Sequence, residues 1–204
     1  SPTSSSARFA ELRGGSWSDA VIRIQAGPGI STATGADGWR YVAFHTGSSG
    51  LMLAHETPSG WSLDSVDPSA SGGAVSLSYS PTRLAVAYSQ GNESNPMAAA
   101  VKVAMNTSSG WDIQTVASGS ESRVSATFDS KGKLHVLVGQ DMNLTHMYQE
   151  GAVWVDEIVD SGTRWGDITG YLDLVVGPDD KPRAAYLVGE TYRLMYAVRE
   201  ADGW

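Results

Sequence analysis

Short apolar runs of strand length recur along the whole chain, each closed off by Gly, Ser, Asp or Pro. Helix formers are sparse beside Ser, Thr, Gly and Val, which argues against a helical bundle and for many short strands joined by tight turns. The runs also keep step with one another. Five tryptophans end a similar phrase: Trp17 in Arg-Gly-Gly-Ser-Trp, Trp61 in Thr-Pro-Ser-Gly-Trp, Trp111 in Thr-Ser-Ser-Gly-Trp, Trp154 in Glu-Gly-Ala-Val-Trp and Trp204 in Glu-Ala-Asp-Gly-Trp. Their spacings are 44, 50, 43 and 50 residues, a period of about 47. Seven positions before them stand Ala10, Ala54, Ala104, Met147 and Ala197. Strand-like segments follow at 18–22, 62–66, 112–116 and 155–159, then at 30–34, 75–79, 124–128 and 172–176. After a turn, a fourth set closes the unit at 41–44, 85–88, 135–138 and 183–186.

Each unit is therefore four short strands, here a to d. A four-stranded antiparallel sheet cannot bury both faces alone, and radial stacking of such sheets does. A sandwich would not repeat at this period, and solenoid coils are usually shorter. The expected fold is all-β: one β-propeller domain over residues 1–204, with four-stranded antiparallel blades. A c/d segment spans 7–22, whole blades span 29–66, 75–116 and 124–159, and a last blade at 171–204 lacks its own d strand. Residues 18–22 can supply that strand and close a four-bladed ring. Alternatively, a second copy completes a larger ring, or the chain is a stretch of a longer propeller.

The phrase apolar-x-apolar-Ala, then Gly-Trp, then a β-branched strand resembles the repeats of sialidase-like and lectin-like propellers. The stretches Asp129-Ser130-Lys131-Gly132-Lys133-Leu134-His135-Val136 and Pro182-Arg183-Ala184-Ala185-Tyr186 carry the resemblance best. It implies fold rather than chemistry. The Asp-box of sialidases, Ser-x-Asp-x-Gly-x-Thr-Trp, is not met. Fucose-binding propellers use an Arg, a Glu and a Trp per site, and no such trio recurs once per unit.

Composition narrows the function classes. The formal charge is −8, with 14 Lys and Arg against 22 Asp and Glu, and no basic stripe, so nucleic acid is not an expected partner. No apolar run is long enough to span a membrane as a helix. There is no Cys, which excludes disulfides and thiolate chemistry. A polar start and three Asn-x-Ser/Thr triplets, at Asn92, Asn106 and Asn143, lean towards export.

Candidate chemistry falls on the d–a and b–c loops, which surround one mouth of the channel. The loop 160–167 departs from the repeat and sets Arg164, Trp165 and Asp167 together. An indole for stacking beside a guanidinium and a carboxylate suits a sugar. Glu190, Tyr192, Arg123, Asp141 and His45 are candidate contributors from nearby loops. The repeat tryptophans read as blade-packing anchors. His135 and His146 lie on neighbouring strands of one blade and can meet. Asp173 stands where other blades carry Ser31, Ser76 and Ser125, either solvated, hydrogen-bonded to those hydroxyls or functional. No metal motif, nucleophile elbow or phosphate loop is present, so neither a metal nor a cofactor is expected. The expected function is an extracellular, lectin-like propeller for a glycan or small polar ligand, with self-association as one way to complete the ring. A glycoside hydrolase or lyase using channel-mouth carboxylates and a protein-interaction scaffold are the alternatives.

Overall fold

A computed structural model of the chain describes residues 6–24, 26–36, 38–46, 50–91, 100–119, 123–140, 143–161, 168–188 and 193–204. All regular structure among them is β. A hairpin of β1 (Ser6–Arg13) and β2 (Ser16–Ile24) comes first. Blade I comprises β3 (Ala26–Thr34), β4 (Arg40–Thr46), β5 (Gly50–Thr57) and β6 (Gly60–Asp67). Blade II comprises β7 (Val75–Ser80), β8 (Arg83–Gln90), β9 (Ala100–Thr107) and β10 (Gly110–Ser118). Blade III comprises β11 (Arg123–Phe128), β12 (Leu134–Gln140), β13 (Asn143–Glu150) and β14 (Val153–Ser161). Blade IV is three-stranded: β15 (Ile168–Val176), β16 (Pro182–Val188) and β17 (Arg193–Val198). Every sheet is antiparallel with strands in sequence order. The segment 18–22 pairs with β1 rather than with β17. Gly14 and Gly15, at φ 57° and 82°, form a two-residue turn of the type that closes a tight hairpin.

The Gly-Trp phrase has a local cause. Gly60, Gly110 and Gly203 take φ of 123°, 124° and 124° in the turn just before a tryptophan, a region open to glycine. The turn aims the following tryptophan back at the preceding sheet. Trp61 joins the core between the hairpin and blade I, Trp111 that between blades I and II, Trp154 that between II and III, and Trp204 that between III and IV. Each core takes alternate residues of two facing sheets, such as Ala87, Val103 and Val136 at the II–III junction. Trp17, in the hairpin, is 73% exposed.

Strand a of each blade meets strand a of the next. It is an edge strand, and a serine hydroxyl from the previous blade satisfies one of its N–H groups. Leu77 N–H donates to Ser31 Oγ at 2.9 Å, Ala126 N–H to Ser76 Oγ at 2.9 Å, and Leu174 N–H to Ser125 Oγ at 3.1 Å. The outer face of blade IV is open. Leu194 and Tyr196, at the places of the fully buried Leu144 and His146 in blade III, are 74% and 64% exposed.

The junctions predict unequal costs for equal substitutions. Trp111→Ala should cost about 3 kcal/mol in urea unfolding, as large-to-small changes in packed sites do. Trp17→Ala should stay within about 0.5 kcal/mol, as for an exposed position.

Candidate functional site

Alternation of strand direction puts the a–b and c–d turns on one rim and the b–c and d–a loops on the other. On the first rim, between blades II and III, lies a cleft of about 710 Å³. Arg83 enters from the a–b turn of blade II, and Asn106, Asp112 and Gln114 from strands c and d around its c–d turn. Blade III closes the far side with Gln149, Gly151 and Ala152. Two amides are fixed by neighbours. Gln114 Oε1 accepts the Trp154 indole N–H at 2.8 Å, while its Nε2 donates to Asp112 Oδ2 at 2.7 Å. Asn106 Oδ1 accepts the Leu84 N–H at 2.6 Å. The result is a guanidinium, a carboxylate and oriented amides on one concave surface. Such a set pairs with adjacent hydroxyls of a polyhydroxylated ligand.

The residues singled out from sequence fare differently. Arg164, Trp165, Asp167, Glu190, Tyr192 and Asp141 lie outside the described residues. Arg123 is exposed at the start of β11, paired with Gly139. His45, at the end of β4, is fully buried beside Tyr88, and neither ring nitrogen has a hydrogen-bond partner among the described residues. Burial holds its pKa below the ordinary value, against the weaker upward pull of Asp67. Burial would raise the Asp67 carboxyl, but hydrogen bonds from Ser69 and from Tyr88 (2.6 Å), with Lys102 at 3.6 Å, bring it below its usual range. Asp173 accepts the Ser125 hydroxyl at 2.9 Å, the hydrogen-bonded alternative of the sequence reading.

The cleft residues flank the c–d turns, on the rim opposite the long loops, so loop length does not mark them. The available signal was periodic: Asp64, Gln114 and Glu157 each stand three residues after a repeat tryptophan.

His135 and His146 do meet. The β12–β13 register sets His146 opposite Leu137 and His135 opposite Tyr148, so both rings share one face. They stack at 5.2 Å, with His135 Nδ1 and His146 Nε2 2.9 Å apart. His146 Nδ1 faces Glu157 Oε2 at 3.4 Å, and the Trp204 ring covers His146 edge-on at 5.1 Å. A proton on His146 Nδ1 makes its Nε2 the acceptor, so His135 Nδ1 donates. His135 Nε2 is left 3.6 Å from Asp129 Oδ2. Burial, and then its neighbour His135, holds His146 down at about 4, while Arg199 holds Glu157 down at about 2. Among the described residues no group of three or more His, Asp or Glu is arranged to hold a metal.

No protein-family model matches the chain, and no curated protein does. Solved structures do. AofleA from Arthrobotrys oligospora is 15% identical, with a TM-score of 0.65 over 97% of this chain and 59% of its own. The Aleuria aurantia lectin, described as a six-bladed β-propeller with a novel fucose recognition mode, is 14% identical, with a TM-score of 0.67 over 95% of this chain and 67% of its own. The intramolecular trans-sialidase of Ruminococcus gnavus is 16% identical, with a TM-score of 0.54 over 93% of this chain and 48% of its own. The fold is that of a β-propeller. This chain spans about three-fifths to two-thirds of the two fungal proteins, and identities this low speak to fold alone.

The histidine pair predicts acid sensitivity. An unfolded histidine takes up a proton near 6.5, which folded His146 refuses until about 4, so stability falls as pH drops between those values. Glu157 then adds a loss between 4.5 and about 2, as the carboxylate that Arg199 favours is protonated. Urea midpoints of His146→Gln should be flatter than wild type from pH 6.5 to 4, with the lower loss retained.

Proposed function

We propose that the protein is a lectin-type module that binds a glycan through the cleft between blades II and III. The oriented Gln114–Asp112 pair beside Arg83 carries this reading. Sugars are recognised by such planar, bidentate groups, which bond two neighbouring hydroxyls at once. The volume admits one or two sugar rings, within the range of small-ligand sites. A fold relative, the Aleuria aurantia lectin, recognises fucose, which supports the reading. The loop with Arg164, Trp165 and Asp167 is proposed as a second contact surface on the opposite rim, and the protein is proposed to act outside the cell. No described helix is long and apolar enough to cross a membrane.

A glycan array, followed by titration of the best-bound glycans, tests this. Arg83→Ala and Asp112→Asn should each weaken binding about 10-fold or more, the loss expected for a charge-assisted hydrogen bond. Binding that survives both substitutions and is lost in Trp165→Ala would move the site to the other rim. An array with no bound glycan would end the lectin reading.

A further inference from the structure

On the rim of the a–b and c–d turns, strand b of each blade begins opposite the end of strand c. The β12–β13 register sets His135 opposite Tyr148, and two residues further along it sets Lys133 opposite Glu150. The β16–β17 register sets Arg183 opposite Val198, and likewise Lys181 opposite Glu200. Both are ion pairs. Lys133 Nζ lies 3.8 Å from Glu150 Oε1, and Lys181 Nζ donates to Glu200 Oε2. A cation on strand b with its counter-ion directly across on strand c is therefore a feature of this place in blades III and IV. In blade I the place holds Trp39 and Thr57, with no cation to serve.

Blade II changes both members of the pair. Its register sets Ala85 opposite Met105, which puts Arg83 opposite Thr107. The lysine has become an arginine and the glutamate a threonine. The Thr107 hydroxyl is taken by the c–d turn, where it donates to Gly110 O at 2.9 Å. Arg83 has no carboxylate within ion-pair distance among the described residues, whereas Arg40, Arg183 and Arg199 on the same rim each hold one. Arg83 and Thr107 both line the II–III cleft. The place that a glutamate fills in the next two blades is thus, in blade II, part of the cleft.

An arginine suits that change. Its planar fork meets a carboxylate with two parallel N–H···O bonds, which a lysine cannot offer. Asp112, the carboxylate that lines the cleft, lies on strand d opposite Met105, two strands out from Arg83 and two places along. Gln114 Nε2 already donates to it. The cleft has a cationic end at Arg83 and a hydroxyl-accepting end at Asp112.

We infer that the II–III cleft takes an acidic saccharide, a hexuronate, whose carboxylate pairs with Arg83 as Glu150 and Glu200 pair with lysines in the blades that follow. The ring hydroxyls then fall to Asp112 and Gln114. The inference rests on the reading of this cleft as a saccharide site and adds the charge of the ligand.

Paired glycosides isolate that charge. NMR titrations at pH 7 compare methyl β-D-glucuronide with methyl β-D-glucoside, and methyl β-D-galacturonide with methyl β-D-galactoside. The side-chain amide of Gln114 and the indole of Trp154 report binding in wild type, Arg83→Gln and Thr107→Glu. Arg83 is exposed at the head of β8, so its replacement leaves the core intact. In at least one pair the acid should bind about 10-fold more tightly than its neutral partner, the gain of a charge-assisted hydrogen bond over a neutral one. Arg83→Gln should bring the two level. Thr107→Glu supplies the counter-ion of blades III and IV, and should do the same with the guanidinium still present. Equal binding of acid and neutral partner in wild type, or an acid preference that survives either substitution, overturns the inference and leaves the saccharide reading standing. Binding of no member of either pair also overturns it, and the glycan array then decides the saccharide reading separately.

Discussion

A four-stranded sheet with two apolar faces is stable only if something covers both, and in this chain each blade is covered by the next. The contact is made twice per junction. Near the axis, a strand-a serine accepts an N–H from the following blade, at Ser31, Ser76 and Ser125. Further out, a tryptophan delivered by a glycine turn enters the core shared with the preceding sheet. The first contact fixes the height of one blade against another, and the second fills the space where blades diverge. An outer face left uncovered, as on blade IV, shows the same residue positions exposed rather than a different composition.

The proposed site grows from the same junctions. Three positions around each tryptophan then decide the chemistry. Between blades II and III they are amides and a carboxylate, which leave an oriented polar cleft. Between III and IV they are an ion pair over a buried histidine couple, which makes that junction charged and acid-sensitive.

Much of the fold was legible in the sequence because propeller blades are periodic. The Trp period set the strand positions, and the anchor role of Trp61, Trp111, Trp154 and Trp204 followed from their regularity. The meeting of His135 and His146 was legible because they face each other across one b–c pair. The cleft was not. Asp112 and Gln114 are separated in sequence from Arg83, which the pairing of strands within blade II brings to the same rim, and the stacking of blade III adds Gln149. His45 looked like a loop residue, yet the end of β4 turns it inward beside Tyr88.

The most direct measurement follows the indole N–H resonances of the seven tryptophans during titration with a bound saccharide. Trp154 donates to Gln114 at the floor of the II–III cleft, whereas Trp61 and Trp111 lie in other junctions. The account predicts that the Trp154 resonance moves in step with saturation while those of Trp61 and Trp111 stay in place. Movement of Trp165 with Trp154 unchanged would contradict it.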